Sequence, residues 1–303
     1  MRISRTRTRT ATGLVFLALV LGAAPAWAAP AAPRSAAAAP ATVRHIPLQG
    51  AVNVRDVGGH RTYDGERVRH GRVYRADALS KLTDADLGTI AGLGLKKVID
   101  FRVPAEVQYD GPDRLPVGLS PTSRPVTDNG LFTRLITAIG SRDPVKQEEM
   151  LGNGRAAAFM HDVYRTFVTD SANRAQFAAT LRDIAVSRSP LLYHCTAGKD
   201  RTGWTTYLLL RLVGVPERTA TDDYLASNTY RAAYDARLRE QLRQGGLMQN
   251  PDLIIPLQEV RTDYLDTALD EAEKRYGGLG GYLSKGLGLD AGTILKLRDR
   301  LVD

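Results

Sequence analysis

The segment HCTAGKDRTG at positions 194–203 constrains the fold of this chain more than any other feature. An apolar run, Leu191 to Tyr193, precedes it, and the spacing of apolar residues after Arg201 is helical. The pattern therefore predicts a buried strand, a short loop and a helix. Such a loop points several backbone N–H groups at one spot, where the helix dipole adds partial positive charge. We expect the loop to bind an anion.

Cys195 is the only cysteine in the chain and lies at the rim of this predicted loop. The donors and the dipole that bind an anion also stabilise a thiolate. Packing alone would account for a small buried cysteine, but not for the residues that surround it. Gly198 lets the backbone approach a ligand closely, and Lys199 and Arg201 flank the same loop. We therefore predict that Cys195 is a nucleophile.

This arrangement suits phosphate ester hydrolysis. A thiolate that attacks a phosphate monoester forms a cysteinyl-phosphate, which water then hydrolyses. The guanidinium of Arg201 and the loop N–H groups can bind the three equatorial oxygens of the phosphoryl group. Thr202 either offers a hydroxyl to the sulfur or is an ordinary residue of the first helical turn. The predicted phosphate-binding residues are Thr196, Ala197, Gly198, Lys199, Asp200, Arg201 and Thr202.

Hydrolysis also needs a general acid, and the sequence offers two carboxyl groups. Asp100 ends a predicted parallel strand, and ligands of open α/β sheets bind at the carboxyl ends of the strands. Asp200 lies within the loop itself. We favour Asp100, because it can approach from the wall opposite the loop. In the alternative, Asp100 is a buried partner of Arg102 or Arg55, and Asp200 either faces the substrate or pairs with Lys199.

The amino-terminal residues predict export. Four arginines precede an apolar run at 13–21, and Ala26-Trp27-Ala28 fits a cleavage site, so residues 1–28 are a predicted signal peptide cleaved after about Ala28. The apolar run is shorter than a membrane span of about 20 residues, so we expect a secreted protein without a stable membrane anchor. Residues 29–42 are almost wholly Ala and Pro and predict a linker.

Charge argues against one class of partner. The predicted signal peptide carries four arginines and no acidic residue, so its removal lowers the formal net charge from +8 to +4. The remaining sequence has no basic run interleaved with aromatic residues. Neither property is typical of a nucleic-acid-binding protein. We expect no nucleic acid partner.

Residues 43–303 predict one α/β domain without repeats. Thr83 predicts the start of a helix, and 98–101 and 190–195 predict buried strands of a parallel sheet. Residues 105–155 are rich in Gly, Pro and charge and indicate a surface insertion, with a mobile lid as the alternative. The carboxy-terminal part is predicted to be helical at 222–242, 257–275 and 292–301. Its tyrosines, at 224, 230, 234 and 264, are predicted to pack.

Five segments of the chain resemble the exported mycobacterial-type protein tyrosine phosphatase B family of the cysteine phosphatase superfamily. They are HCTAGKDRTG, NVRDVGG at 53–59, IDFRVPAEV at 99–107, DYLASN at 223–228 and YGGLGGYLSKGLGL at 276–289. The resemblance implies a phosphatase fold with a central, mainly parallel sheet flanked by helices. It also implies a nucleophilic Cys195, phosphate binding by Arg201 and an acid role for Asp100, shared with Asp200 in one version.

The resemblance implies several substrates and no cofactor or metal. Phosphotyrosine, phosphoserine or phosphothreonine, and phosphoinositides are expected, with inorganic phosphate as product and Lys199 as a second positive charge for multiply phosphorylated rings. The sequence departs from the family at Phe101 and Val103, where leucine and serine are usual, and 105–155 does not resemble the family's lid helices. Two alternatives stay open. One is an inositol-phosphate (phytate-type) phosphatase, and the other is a non-catalytic module that binds phosphorylated ligands.

Overall fold

The computed structural model describes residues 44–303. The predicted signal peptide at 1–28 and the linker at 29–42 lie outside the described residues. Across 44–303, no helix is both long and apolar enough to cross a membrane.

A five-stranded, mainly parallel sheet forms the centre of the described chain. Its strands lie in the order β1-β2-β5-β3-β4; β1 is antiparallel to β2, and the other neighbours are parallel. The sheet confirms the α/β fold class that the sequence predicts. The strands are β1 Arg55–Asp56, β2 Val73–Ala76, β3 Lys97–Asp100, β4 Pro121–Ser123 and β5 Leu191–His194.

Helices cover both faces of the sheet and make up most of the carboxy-terminal half. They are α1 Asp84–Gly92, α2 Pro104–Asp110, α3 Leu131–Ser141, α4 Pro144–Leu151, α5 Arg155–Thr169, α6 Ser171–Val186, α7 Arg201–Leu212, α8 Glu217–Gln244, α9 Ile255–Gln258, α10 Thr262–Tyr276, α11 Leu279–Gly281 and α12 Ala291–Leu301. A 3₁₀ turn at Pro251–Ile254 and a π turn at Tyr282–Gly286 complete them.

Strand β5 lies at the middle of the hydrophobic core. Successive side chains of a strand point to opposite faces of the sheet. Leu191 and Tyr193 accordingly join the larger cluster, which the helices of the carboxy-terminal half complete, whereas Leu192 joins the smaller cluster on the other face. Helix α7, which follows, is buried over its first ten residues. The loop between two such buried elements is anchored at both ends.

The register of the sheet determines which strand ends lie next to one another at the site. Ala76 and Asp100 each pair with His194, so β2, β3 and β5 end at the same level. Residues that follow these strands therefore share one edge of the sheet. This edge is where ligands bind in open α/β folds.

Two regions differ from the sequence prediction. The helix predicted over 257–275 begins only at Thr262, because Asn228 binds both the N–H and the carbonyl of Val260, at 2.8 and 2.7 Å, and keeps that segment extended. The segment 105–155 contains helices α2 to α4 as well as strand β4. The ends of these helices are marked by Gly111, Gly130, Pro144, Gly152 and Gly154, and the short helices between them give only a weak periodicity. The capped helix start at Thr83 is confirmed.

Candidate active site

The loop between β5 and α7 begins at Cys195 and ends at Arg201, the first residue of α7. Gly198 has a φ of +65°, and a Cβ on it would lie 2.4 Å from the carbonyl oxygen of Ala76. Both the left-handed conformation and the close approach to the end of β2 require glycine. The loop is therefore packed tightly against the carboxyl edge of the sheet.

Side chains behind the loop hold its carbonyl groups. The Nδ2 amide of Asn53 donates to the carbonyl oxygens of Ala197 and Gly198, both at 3.0 Å. Arg75 donates to the carbonyl of Gly198 at 2.8 Å. Asn53 is itself held, because its Oδ1 accepts a bond of 2.5 Å from Arg55. With these carbonyls bound on the inner side, the loop N–H groups are available to an anion on the outer side.

A buried ion cluster fixes these supports. Arg75 binds Asp223 Oδ1 at 2.7 Å, and Arg55 donates to the Asp223 backbone carbonyl at 2.9 Å and pairs with its carboxylate at 3.4 Å. Burial alone would raise the pKa of Asp223, but the charges of Arg55 and Arg75 outweigh it and hold the pKa far below its usual range. Burial, reinforced by Arg75, lowers the pKa of Arg55 to about 10. Asp223 thus stays ionised between two arginines.

Arg201 is oriented by a glutamate on α2. Its two terminal nitrogens bind Glu106 Oε2 at 2.6 Å and Oε1 at 2.5 Å, and Glu106 also accepts the Thr196 hydroxyl at 2.5 Å. Burial by itself raises the pKa of Glu106, but the charge and hydrogen bonds of Arg201, together with the bonds from Thr196 and the Val103 N–H, bring it below its ordinary value. Burial would likewise lower the Arg201 pKa, but the charges of Glu106 and Cys195 raise it well above its ordinary value. This bidentate pair fixes the guanidinium plane beside the loop.

Asp100 is bound by Arg102 instead of facing an open space. Arg102 donates to the two Asp100 oxygens at 2.8 to 3.0 Å and to Asp113 at 2.7 Å. Asp113 in turn lies 2.8 Å from Nε2 of His194. This is the arrangement that the alternative for Asp100, a buried partner of Arg102, describes. Asp100, Asp113 and His194 are close enough to hold a cation, but Arg102 already supplies positive charge between the two carboxylates.

Burial by itself lowers the pKa of His194, but the carboxylates of Asp113 and Asp100 together outweigh burial and raise the pKa. The Nδ1 atom of the same ring lies 3.4 Å from the carbonyl oxygen of Cys195. His194 therefore links the Asp113 carboxylate to the backbone of the predicted nucleophile.

Asp200 has one engaged and one free oxygen. Its Oδ1 accepts bonds from Lys199 Nζ and the Tyr164 hydroxyl, each at 2.9 Å. Its Oδ2 has no hydrogen-bond partner within residues 44–303. Lys199 also donates to the carbonyl of Glu259 at 3.1 Å, so two of its three N–H groups bind protein acceptors.

A cavity of about 110 Å³ lies over the loop. One side is polar and belongs to the loop, with the carboxyl groups of Glu106 and Asp128 beside it. The other side is apolar and comes from α3, α5 and α9. The lining residues are Glu106, Asp128, Leu131, Phe132, Leu135, Val163, Thr196, Ala197, Lys199, Asp200, Arg201 and Leu257. An anion at the polar end and an apolar group against the wall fit this surface.

Most of the predicted site residues meet here. Thr196, Ala197, Lys199, Asp200 and Arg201 line the cavity, whereas Cys195, Gly198, Thr202 and Asp100 do not. Cys195 starts the loop and is 1% exposed. The hydroxyl of Thr202 is buried and has no hydrogen-bond partner in the described chain.

Sequence reasoning assigned no site role to several residues that hold the loop or its arginine. For all of them except Arg75 the signal lay in the segments 53–59, 99–107 and 223–228, which contribute polar residues at buried positions. A buried charge requires a partner, so each charged residue among them indicates a second charged residue nearby. The residues are Asn53, Arg55, Arg75, Glu106 and Asp223.

Comparison with known proteins gives two kinds of match. The sequence model of the tyrosine phosphatase family matches residues 46–303. The triple specificity protein phosphatase PtpB of Mycobacterium tuberculosis is 32% identical over 281 residues, which cover 86% of this chain and 99% of that protein. A tyrosine-protein phosphatase of Nostoc commune is 29% identical over 232 residues, covering 75% of this chain and 73% of that protein.

Proposed function

Because this chain belongs to the tyrosine phosphatase family and is a protein tyrosine phosphatase, we propose that it acts through a cysteinyl-phosphate intermediate formed on Cys195. The observation that carries the proposal is the loop itself. Its carbonyls are bound from behind by Asn53 and Arg75, and Arg201 is fixed by Glu106 beside the same cavity. An oriented guanidinium next to free N–H groups is the arrangement that stabilises a transferring phosphoryl group.

The proposed reaction has two steps. The Cys195 thiolate attacks phosphorus, a sulfur–phosphorus bond forms, and the bond to the leaving oxygen breaks while that oxygen receives a proton. Water then attacks the cysteinyl-phosphate, and inorganic phosphate and the thiolate are released. Arg201 and the loop N–H groups bind the equatorial oxygens in both steps. We also propose that the Thr202 hydroxyl, which is buried without a hydrogen-bond partner among residues 44–303, donates to the sulfur in the second step.

We assign the general acid to Asp200. Both oxygens of Asp100 are bound by Arg102, which argues against its release of a proton to a substrate. Asp200 lines the cavity, and its Oδ2 has no hydrogen-bond partner among residues 44–303. A general acid must come within hydrogen-bond reach of the leaving oxygen. In this proposal the Asp200 carboxyl protonates that oxygen, and its carboxylate later accepts a proton from the attacking water.

The preferred substrate in this proposal is phosphotyrosine. The apolar wall, which includes Leu131, Phe132 and Leu257, supports an aromatic ring beside the phosphoryl group. Lys199 is already bound to Asp200 and to the Glu259 carbonyl, so it offers little free charge to a second phosphate. The Mycobacterium tuberculosis relative is named for triple specificity. We therefore include phosphoserine or phosphothreonine proteins and phosphoinositides as slower substrates.

We also propose that the protein is exported and that cleavage follows about Ala28. The arginines at 2, 5, 7 and 9 and the apolar run at 13–21 support this proposal. Amino-terminal sequencing of the protein from culture medium tests it. A protein that stays with the cells and begins at Met1 would contradict export.

Substrate profiling tests the proposed activity. Purified residues 43–303 are assayed with a phosphotyrosine peptide, a phosphoserine peptide, a phosphoinositide and inositol hexakisphosphate, with EDTA present, beside Cys195→Ser. We expect the phosphotyrosine peptide to give the highest kcat/KM and Cys195→Ser to be inactive while it still binds phosphate. Preference for inositol hexakisphosphate would support the phytate-type alternative. Phosphate binding without turnover of any substrate would support a binding module.

A further inference from the structure

Two buried tyrosines stand behind Asp200. Tyr164 of α5 and Tyr224 of α8 have no measurable exposure. The Tyr164 hydroxyl lies 2.9 Å from Asp200 Oδ1 and 2.7 Å from the Tyr224 hydroxyl. The Tyr224 hydroxyl also lies 3.3 Å from the carbonyl oxygen of Arg261. The sequence predicted packing for Tyr224, and its ring does pack edge-on against Tyr164, but packing does not explain a line of hydroxyl groups that ends at Asp200.

The hydrogen bonds of this row of hydroxyl groups all point from donor to acceptor in the same direction, toward Asp200. Each tyrosine hydroxyl has one hydrogen to donate. Oδ1 of Asp200 is the accepting oxygen, since the proposed acid carries its proton on Oδ2, so the hydrogen of Tyr164 goes to Oδ1. The short contact between the two hydroxyls must then be a bond that Tyr224 donates. The contact of Tyr224 with the Arg261 carbonyl is the longer of its two. Burial, reinforced by the charge of Asp200, raises the pKa of Tyr164 and Tyr224 well above the ordinary value, so both keep their hydrogens at neutral pH.

This chain of donors acts on a single oxygen of Asp200. Tyr164 and Lys199 bind Oδ1 from two elements, α5 and the loop, and the carboxyl group is thereby fixed in rotation. Bonds in such a chain strengthen one another, which adds to the restraint. Fixing Oδ1 leaves Oδ2 as the oxygen that can reach a leaving group in the cavity.

We propose that Tyr164 is a positioning residue for the general acid: it holds Oδ1 so that Oδ2 delivers the proton, and Tyr224 acts only through Tyr164. The inference rests on the proposed role of Asp200 as the acid. It assigns a contribution to proton transfer to two tyrosines that need not touch substrate.

The dependence of kcat/KM on the leaving group distinguishes a role in proton transfer from a purely structural role. A good leaving group such as dinitrophenolate departs without a proton, whereas phenolate needs one. The value of kcat/KM includes only the steps up to departure of the leaving group, so the hydrolysis of the intermediate does not affect it. The experiment therefore measures kcat/KM for phenyl phosphate and dinitrophenyl phosphate with the wild type, Tyr164→Phe, Tyr224→Phe and the double variant. The matched control is Tyr282→Phe, which removes a buried hydroxyl that donates to the Phe167 carbonyl and not to the tyrosines or Asp200.

We expect Tyr164→Phe to lower kcat/KM for phenyl phosphate about tenfold and to change the value for dinitrophenyl phosphate less than about twofold, since positioned proton transfer contributes about 10²–10⁴-fold in total. Tyr224→Phe should give a smaller loss of the same kind. The double variant should equal Tyr164→Phe, because the effect of Tyr224 passes through Tyr164. Tyr282→Phe should leave both values unchanged. Equal losses with both substrates in Tyr164→Phe, or no loss with either, would overturn the inference.

Asp200→Asn, measured in parallel, separates this inference from its premise. If Asp200 is the acid, Asp200→Asn lowers kcat/KM for phenyl phosphate about 100-fold or more and spares dinitrophenyl phosphate. Selective loss in Asp200→Asn without selective loss in Tyr164→Phe would refute the positioning role alone. Absence of selective loss in Asp200→Asn would refute the acid assignment and, with it, the inference.

Discussion

Replacing Glu106 by glutamine tests how far Arg201 depends on its partner. The two carboxylate oxygens of Glu106 bind the two terminal nitrogens of Arg201 at 2.6 and 2.5 Å. An amide has the same shape but only one oxygen, so one of the two bonds is replaced by an N–H group that faces another N–H group. A hydrogen bond to a charged group contributes about 1.5–3 kcal/mol. At about 1.36 kcal/mol for each factor of ten, Glu106→Gln should lower kcat/KM about 10- to 150-fold.

The assay is kcat/KM for phenyl phosphate together with the inhibition constant of inorganic phosphate. The value of kcat/KM should fall and the inhibition constant should rise, because Arg201 binds the phosphoryl group in the ground state as well as in the transition state. The matched control is Glu149→Gln, the same substitution at an exposed position on α4. A Glu106→Gln variant within twofold of the wild type in both measurements would refute the claim that this pair orients Arg201.

Three further predictions concern the frame of the loop. Asn53→Ala removes both bonds to the carbonyls of Ala197 and Gly198, and at about 0.5–1.5 kcal/mol for each bond it should weaken phosphate inhibition about 5- to 150-fold, measured by steady-state kinetics. Gly198→Ala meets the Ala76 carbonyl at a positive φ, so activity should fall more than about 100-fold, with circular dichroism to confirm the fold. Asp223 has a depressed pKa, so its contribution to stability is present above about pH 4 and is lost below it; the difference in unfolding free energy between wild type and Asp223→Asn should shrink in urea titrations at low pH.

The sequence pattern predicted strand β5, the loop and helix α7 because the signals for these elements are local. Strand β5, the loop and α7 are adjacent in the chain, so their apolar run and helical spacing were sufficient to predict them. Thr83 and its capped helix were predicted for the same reason. The segments quoted for the family resemblance contain Glu106, Asn53 and Asp223, but nothing in their spacing indicates which groups they bind.

The partners of the loop could not be predicted because they are distant in sequence. Asn53 meets Gly198 across 145 residues, and Glu106 meets Arg201 across 95. The two candidate acids illustrate the same limit. Both are aspartates beside an arginine or a lysine in the sequence, and only the fold reveals that Arg102 binds both oxygens of Asp100 while Asp200 lines the cavity. Helical context likewise predicted packing for Tyr224, since the hydroxyl contact depends on how α5 and α8 meet.

Trapping the phosphorylated enzyme tests the central claim most directly. The wild type is mixed with dinitrophenyl phosphate, quenched in acid within milliseconds, digested and analysed by mass spectrometry beside Cys195→Ser. We expect one phosphoryl group on the peptide that contains Cys195, formed in step with a burst of dinitrophenol and absent from Cys195→Ser. A burst without a phosphoryl group on Cys195, or full turnover by Cys195→Ser, would contradict it.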